Sequence, residues 1–78
     1  MGLDKISIRK AVIHNIHGMK PEELHDMVID SIEQKEEKLL PGLGVVFETI
    51  WENSNADFRR QMIETLHENL PEHAEKPI

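Results

Sequence analysis

The stretch from residue 37 to residue 51, EKLLPGLGVVFETIW, constrains the fold of this chain more than any other. Pro41 follows an apolar pair and precedes Gly42 and Gly44, and an amphipathic run then ends in Trp51, the only tryptophan. Proline suits the first turn of a helix because its φ is already fixed, and glycine lets the backbone turn sharply and pack closely. The stretch therefore predicts a helix entry built for tight packing, with Trp51 as a core anchor.

The length of the chain, 78 residues, is that of one small domain. Such a chain buries only about 60% of the surface that its unfolded form exposes, so its stability is small. It has no cysteine, which excludes a disulfide framework and a thiolate metal site. We predict a single helical domain over residues 1–78, with a flexible tail at about residues 72–78.

The spacing of the apolar residues and the positions of helix-starting and helix-ending residues predict four helices, at about residues 7–17, 21–35, 43–52 and 55–70. Gly18 stands where a left-handed cap closes the first helix, Pro21 starts the second and Pro71 ends the fourth. Each helix carries one apolar stripe, and the connections are short. The predicted fold is therefore a compact all-α domain of four short helices, orthogonal or bundle-like.

Nine apolar residues from these stripes form the predicted core: Leu24, Val28, Ile32, Val46, Phe47, Ile50, Trp51, Met62 and Leu66. Val45 and Ile29 fall instead on otherwise polar helix faces, with no predicted partner inside the chain. Residues 1–20 carry a net charge of +3, and residues 21–37 carry −6. Together these features predict a weak homodimer with Val45 or Ile29 at the contact. The alternative is a monomer, because isolated exposed apolar residues are ordinary.

The net charge of −6 argues against two classes of partner. An acidic chain is repelled by phosphate backbones and by anionic lipids, so neither nucleic acid nor a membrane is an expected partner. The sequence has no signal-peptide h-region, and no apolar run approaches the roughly 18 residues of a membrane helix. These features predict a soluble, intracellular protein.

Two histidines and a group of acids are the candidate metal or catalytic residues. His14 and His17 are three apart, a spacing at which one helix can present two imidazoles to a metal ion, but no HExxH motif or cysteine adds ligands. The acids lack both the pattern of a calcium loop and the apolar burial that shifts a catalytic carboxyl. They are Asp26, Asp30, Glu33, Glu36 and Glu37. Solvated side chains are the favoured interpretation of both groups.

Two further motifs suggest ligand binding, and each has a simpler explanation. Gly42-x-Gly44 at a helix start could hold an anion, but no complete phosphate-binding motif surrounds it. The favoured interpretation is that the two glycines allow a turn and close packing. The third and fourth helices could form a helix-turn-helix with Arg59 and Arg60 early in its second helix, although acids share that helix. The sequence therefore predicts no catalytic, cofactor-binding or metal residue.

Three segments resemble the small acid-soluble spore proteins of the I type, from endospore-forming bacteria. They are IRKAVI at residues 8–13, PEEL at residues 21–24 and, most specifically, EEKLLPGLGVVFE at residues 36–48. The resemblance covers about residues 8–70. It implies a minor protein made in the forespore and held in the spore core, with a role in sporulation and no established activity or cofactor.

Two functions follow as hypotheses. The first is a non-enzymatic spore-core protein that is structural or binds another spore-core protein, as the resemblance implies. The alternative is a nucleic-acid-binding regulator that uses Arg59 and Arg60.

Overall fold

Four α-helices and one short 3₁₀ helix make up the regular structure of residues 7–77, the part of the chain that this computed structural model describes. The helices are α1 (Ile8–Ile16), α2 (Pro21–Glu33), α3 (Leu40–Glu52) and α4 (Ala56–Glu68), and the 3₁₀ helix spans Glu37–Leu39. Residues 7–77 contain no strand. The predicted all-α class with four helices is confirmed.

Side-chain caps fix the starts of α1 and α4. The Ser7 hydroxyl accepts a hydrogen bond from the Lys10 backbone N–H at 3.1 Å. The Asn55 side-chain oxygen accepts one from the Phe58 backbone N–H at 2.8 Å. Each bond satisfies a donor that has no partner inside the helix, which is why serine and asparagine favour these positions.

Acidic residues and proline fix the start of α2. Pro21 occupies the first turn, where the missing N–H costs nothing. The Glu23 carboxylate accepts a hydrogen bond from the Lys20 backbone N–H at 2.8 Å. Glu22 and Glu23 also place negative charge at the positive end of the helix dipole.

The turns that follow α1 and α2 do not use the left-handed glycine that the sequence predicted. His17 ends α1 with an ordinary helical φ of −62°, and no described glycine has a positive φ, so the predicted left-handed cap at Gly18 is wrong. The left-handed residue is Lys35, with a φ of 56°. It follows Gln34, the residue that caps α2, and turns the chain towards the 3₁₀ helix, since a single left-handed residue redirects the backbone sharply.

The start of α3 also differs from the prediction. The helix begins at Leu40, three residues earlier than expected, so Gly42 and Gly44 lie inside it. A Cβ atom built on either glycine would meet nothing within 4 Å. The two glycines therefore serve neither a turn nor a close packing contact, and that interpretation is wrong. They do not form a loop that could hold an anion either.

Packing centres on α3, which α1 and the 3₁₀ helix contact. Val45 of α3 is only 7% exposed and lies beside Ile8 and Arg9 of α1. The prediction that Val45 has no partner inside the chain is wrong, because α1 covers the side of α3 that the helical wheel assigned to solvent. For the same reason Val45 is not available for a contact between two copies.

The predicted core is only partly assembled. Four of its nine residues are about half exposed: Ile32 at 50%, Phe47 at 50%, Ile50 at 46% and Leu66 at 55%. The other five are Leu24, Val28, Val46, Trp51 and Met62, and all are partly buried. Short helices splay around a groove, and α4 does not lie over the other three, so one continuous core does not form.

The residues beyond α4 carry no further helix. Residues 71–77 have no regular structure, and the predicted tail at about residues 72–78 falls there except for Ile78, which lies outside the described residues. Its flexibility and the single-domain organisation stay predictions. Lys5, which contributes to the basic first segment, lies outside the described residues.

Candidate interaction surface

An apolar groove of about 430 Å³ opens between α1, α2 and α3. We call it the interhelical groove. Ile13 and Ile16 of α1 line one wall, Leu24, Val28 and Ile29 of α2 line a second, and Val46, Thr49 and Ile50 of α3 line the third, between them. The lining is almost wholly apolar, so water in this groove meets hydrocarbon on three sides.

The rim of the interhelical groove carries large aliphatic side chains that remain in contact with solvent. Ile13 is 41% exposed, Ile29 is 40% exposed and Ile50 is 46% exposed. They come from three different helices and surround one opening. Adjacent exposed apolar residues of this kind characterise sites that bind a partner, whereas scattered ones do not.

Among residues 7–77, no lysine, arginine, aspartate or glutamate lines the groove itself, but charges of opposite sign lie beside its α1 and α2 walls. On α1, Lys10 precedes Ile13 by three residues, which places it one turn away on the same side of the helix. On α2, Asp26 precedes Ile29 by three residues and Glu33 follows it by four. Ile29, Asp26 and Glu33 also line a second, acidic surface depression. The basic wall is thus α1, and the acidic wall is α2.

A bidentate ion pair holds α1 against α3. The Arg9 Nε donates to Glu48 Oε1 at 2.7 Å, and the Arg9 Nη2 donates to Glu48 Oε2 at 3.0 Å. The hydrogen bond from Arg9, with its positive charge, lowers the pKa of the Glu48 carboxyl. The same hydrogen bond, with the Glu48 charge, raises the pKa of Arg9. Sequence reasoning missed this pair, since 39 residues separate its members and no local spacing signals it.

The two arginines of the helix-turn-helix hypothesis are both engaged within the chain. The Arg59 Nε donates to the Trp51 backbone oxygen at 2.8 Å, and its guanidinium lies 5.4 Å from the Trp51 ring centroid. Arg60 pairs with Asp57 and, at 3.4 Å, with Glu64. Arg59 therefore joins α4 to the end of α3, and Arg60 braces α4 itself.

Trp51 combines packing with this link to α4. Its side chain is partly buried, and its ring lies 5.9 Å from the Phe47 ring, centroid to centroid, at a tilt of 37°. A tilted aromatic pair and a cation over an indole face are both favourable. Trp51 thus anchors the junction between α3 and α4 and is not part of a central core.

The candidate metal-binding histidines lie together on α1 and its cap. Their ring centroids are 5.9 Å apart, and the His17 Nδ1 lies 2.9 Å from the His14 backbone oxygen. Both side chains are exposed. Among residues 7–77 there is no group of three or more histidine, cysteine, aspartate or glutamate residues that could hold a metal ion.

The candidate acids are also exposed. Asp26, Asp30 and Glu33 line the depression on α2 that shares Ile29 with the groove, and Asp30 accepts a hydrogen bond from the Gln34 amide at 2.8 Å. Glu36 and Glu37 lie apart from them, at the 3₁₀ helix. The structure thus separates the five acids into two groups. Glu36 and Glu37 line a depression with Ile32, Leu40 and Leu43, but all five side chains are exposed, whereas a catalytic carboxyl usually needs burial.

Comparison with known proteins identifies the family. The family model described as "Small, acid-soluble spore protein I" matches residues 6–70. The chain belongs to this family. The matched residues include all four helices, the interhelical groove and the Arg9–Glu48 pair.

Relatives in the family extend this similarity along almost their whole length. The chain is 45% identical over 65 residues to a small, acid-soluble spore protein I of Bacillus licheniformis, covering 83% of this chain and 93% of the relative. It is 44% identical over 69 residues to one from a Geobacillus species, covering 88% and 97%. No solved structure matches the chain. None of the described helices is both long and apolar enough to cross a membrane.

Proposed function

We propose that this chain is a non-enzymatic protein of the spore core, made in the forespore, that acts in sporulation as a structural or protein-binding component. Membership of the small acid-soluble spore protein I family supports the link to the spore. The interhelical groove carries the proposal of protein binding, because it presents exposed isoleucines from three helices around one opening.

The chemistry of the groove favours a protein partner. An apolar lining gains free energy by covering other apolar side chains, at about 25 cal/mol for each Å² removed from water. Phosphates and sugars offer it no such gain. A net charge of −6 further opposes contact with a nucleic-acid backbone.

The nucleic-acid hypothesis loses its main support in the structure. Arg59 contacts the backbone and ring of Trp51, and Arg60 is held between two acids of its own helix. Contact with phosphate would compete with these interactions. A recognition helix normally presents such side chains freely to the major groove.

A titration with duplex DNA separates the two functions. Phosphate contacts are strongest at low salt, so the measurement belongs at about 50 mM salt and again at about 200 mM. We expect no binding at micromolar protein in either condition. Binding at 50 mM that falls steeply at 200 mM, and that the double variant Arg59→Gln with Arg60→Gln abolishes, would contradict the proposal.

A fluorescent fusion tests the proposed location. In sporulating cells of the bacterium that makes this protein, we expect the fluorescence to appear only in the forespore and to persist in the spore core. A fusion expressed in growing cells or in the mother cell would contradict this part of the proposal.

A further inference from the structure

We propose that a second copy of this chain covers the interhelical groove, in a two-fold symmetric dimer whose axis runs along the groove. In this arrangement α1 of each copy lies against α2 of the other, and Ile13 packs against Ile29. The inference rests on the proposed protein-binding role and names one partner for it.

The exposed area of the molecule provides the first argument. The chain exposes 7295 Å², whereas a compact monomer of this length exposes about 4,900 Å². This total also counts the residues outside 7–77 and the non-helical residues 69–77, so only part of the excess lies on the helices. One face of a standard dimer interface needs about 800 Å², which is roughly a third of that excess.

The radius of gyration agrees with this excess of surface. It is 15.0 Å, and a compact domain of 78 residues has about 11.5 Å. Part of the exposed surface is apolar, since Ile13, Ile29 and Ile50 are 40–46% exposed, and a small domain with so thin a core gains stability from burying such surface in an oligomer.

The charges beside the two walls favour a second copy of this chain as the molecule that covers the groove. A two-fold axis along the groove places the basic wall of one copy over the acidic wall of the other, twice in each dimer. Lys10 then lies near Asp26 or Glu33 of the other copy, since these acids flank Ile29 on both sides. A like-charged contact of α2 with α2 would instead set acids against acids, which is unfavourable.

The same surface on both copies satisfies the requirement of a closed dimer. A two-fold interface must be complementary to itself, with residue i meeting j and j meeting i. The groove meets this requirement because Ile13 and Ile29 stand on opposite walls with nearly equal exposure, 41% and 40%. Each isoleucine can therefore bury the other across the axis.

Sedimentation equilibrium of the full chain tests the dimer. In about 150 mM salt, where surface charges are partly screened, we expect a reversible dimer below about 1 mM protein. Ile29→Lys puts a charge at the centre of the contact and should weaken association at least about tenfold. Ile63→Lys is the matched control, because Ile63 is 48% exposed but lies on α4, away from the groove.

Charge reversal tests the orientation of the two copies. Lys10→Glu places an acid on α1 opposite the acids of α2, and Asp26→Lys with Glu33→Lys places two lysines on α2 opposite Lys10 of α1. Each variant alone should associate at least about tenfold more weakly than the natural chain, and an equimolar mixture should regain the dimer. Circular dichroism of every variant checks that its helix content is unchanged.

The outcomes that overturn the dimer are distinct. A chain that is monomeric at about 1 mM would overturn the dimer. This holds whether α4 of the same chain or a different protein covers the groove instead. Equal disruption by Ile63→Lys and Ile29→Lys would show that association does not depend specifically on the groove. A mixture of the charge variants that stays monomeric would refute the proposed orientation. None of these results bears on DNA binding or forespore location, so the proposed function stands or falls separately.

Discussion

Val45 is the one buried residue among residues 7–77, and it lies where two helices meet. It is 7% exposed, and Ile8 and Arg9 of α1 lie beside it. The Arg9–Glu48 ion pair lies on the same side of α3, one turn further along. Apolar burial and a bidentate ion pair therefore act together to hold α1 on α3.

Removing the Val45 side chain should loosen this contact. We expect Val45→Ala to lower the free energy of unfolding by about 2 kcal/mol, from lost burial and an unfilled cavity. Chemical denaturation monitored by circular dichroism measures the change. Ile63→Ala, at a position 48% exposed, should stay within about 0.5 kcal/mol of the natural chain. Equal effects of the two variants would show that Val45 is not buried in solution.

The Arg9–Glu48 pair makes stability depend on pH. Arg9 lowers the pKa of Glu48 below its ordinary value of 4.5. The pair therefore stabilises the fold fully above pH 4.5 and progressively less as the pH falls through the lowered pKa. Glu48→Gln should melt below the natural chain at neutral pH, and the difference in Tm should shrink between about pH 5 and pH 3.

A control variant isolates that pH effect. Glu64→Gln removes a carboxylate that pairs with Arg60 inside α4, and its Tm should remain close to that of the natural chain, because exposed pairs within one helix contribute little. If the difference for Glu48→Gln stayed constant down to pH 3, the ion pair would not be the cause.

At the level of helices, α3 contains two residues that weaken it. Gly42 and Gly44 lie inside the helix with open space around their Cβ positions. Glycine in a helix interior costs about 0.5–1 kcal/mol relative to alanine, because the unfolded backbone loses more freedom on folding. Nothing else in the described structure of α3 requires glycine at these two positions.

Alanine at position 44 should therefore stabilise the protein. We expect Gly44→Ala to raise the free energy of unfolding by about 0.5–1 kcal/mol. Gly18→Ala is the comparison, since Gly18 also has open space but lies outside the helices, and its effect should be smaller. A loss of stability at position 44 would reveal a close neighbour that the structure places elsewhere.

Local signals explain why the helices could be predicted from the sequence. Ser7, Pro21 and Asn55 each supply a start signal that depends only on nearby residues. The start of α3 was harder to predict, because Pro41 is tolerated anywhere in the first turn and the 3₁₀ helix leads directly into it. The turn at Lys35 contains no glycine from which it could have been predicted.

Contacts between helices could not be predicted in the same way. A helical wheel assigns α3 a single buried side, but in the structure α1 covers one side of α3 and the groove opens on another. Val45, which was expected to be exposed, is therefore buried, and Ile50, which was expected to be buried, is about half exposed. The Arg9–Glu48 pair depends on how α1 crosses α3, which no local pattern encodes. Ile29 was correctly predicted to be exposed, yet the groove beside it appears only when three helices are assembled.

At the scale of the whole molecule, the fold is a set of helices around a groove that it does not fill. The three walls of the interhelical groove come from α1, α2 and α3, while α4 is joined to α3 mainly through Arg59 and Trp51. A small protein with this shape is stabilised when a partner covers its apolar surface. The proposed role and the proposed dimer both follow from this one property.

Nuclear magnetic resonance of a mixed sample tests this account most directly. Isotope-labelled and unlabelled chains are mixed at about 1 mM, and only nuclear Overhauser effects that pass between copies are recorded. We predict cross-peaks that join the Ile13 methyl groups of one copy to the Ile29 methyl groups of the other. A spectrum without such cross-peaks, or one in which they arise only from α4, would contradict the account.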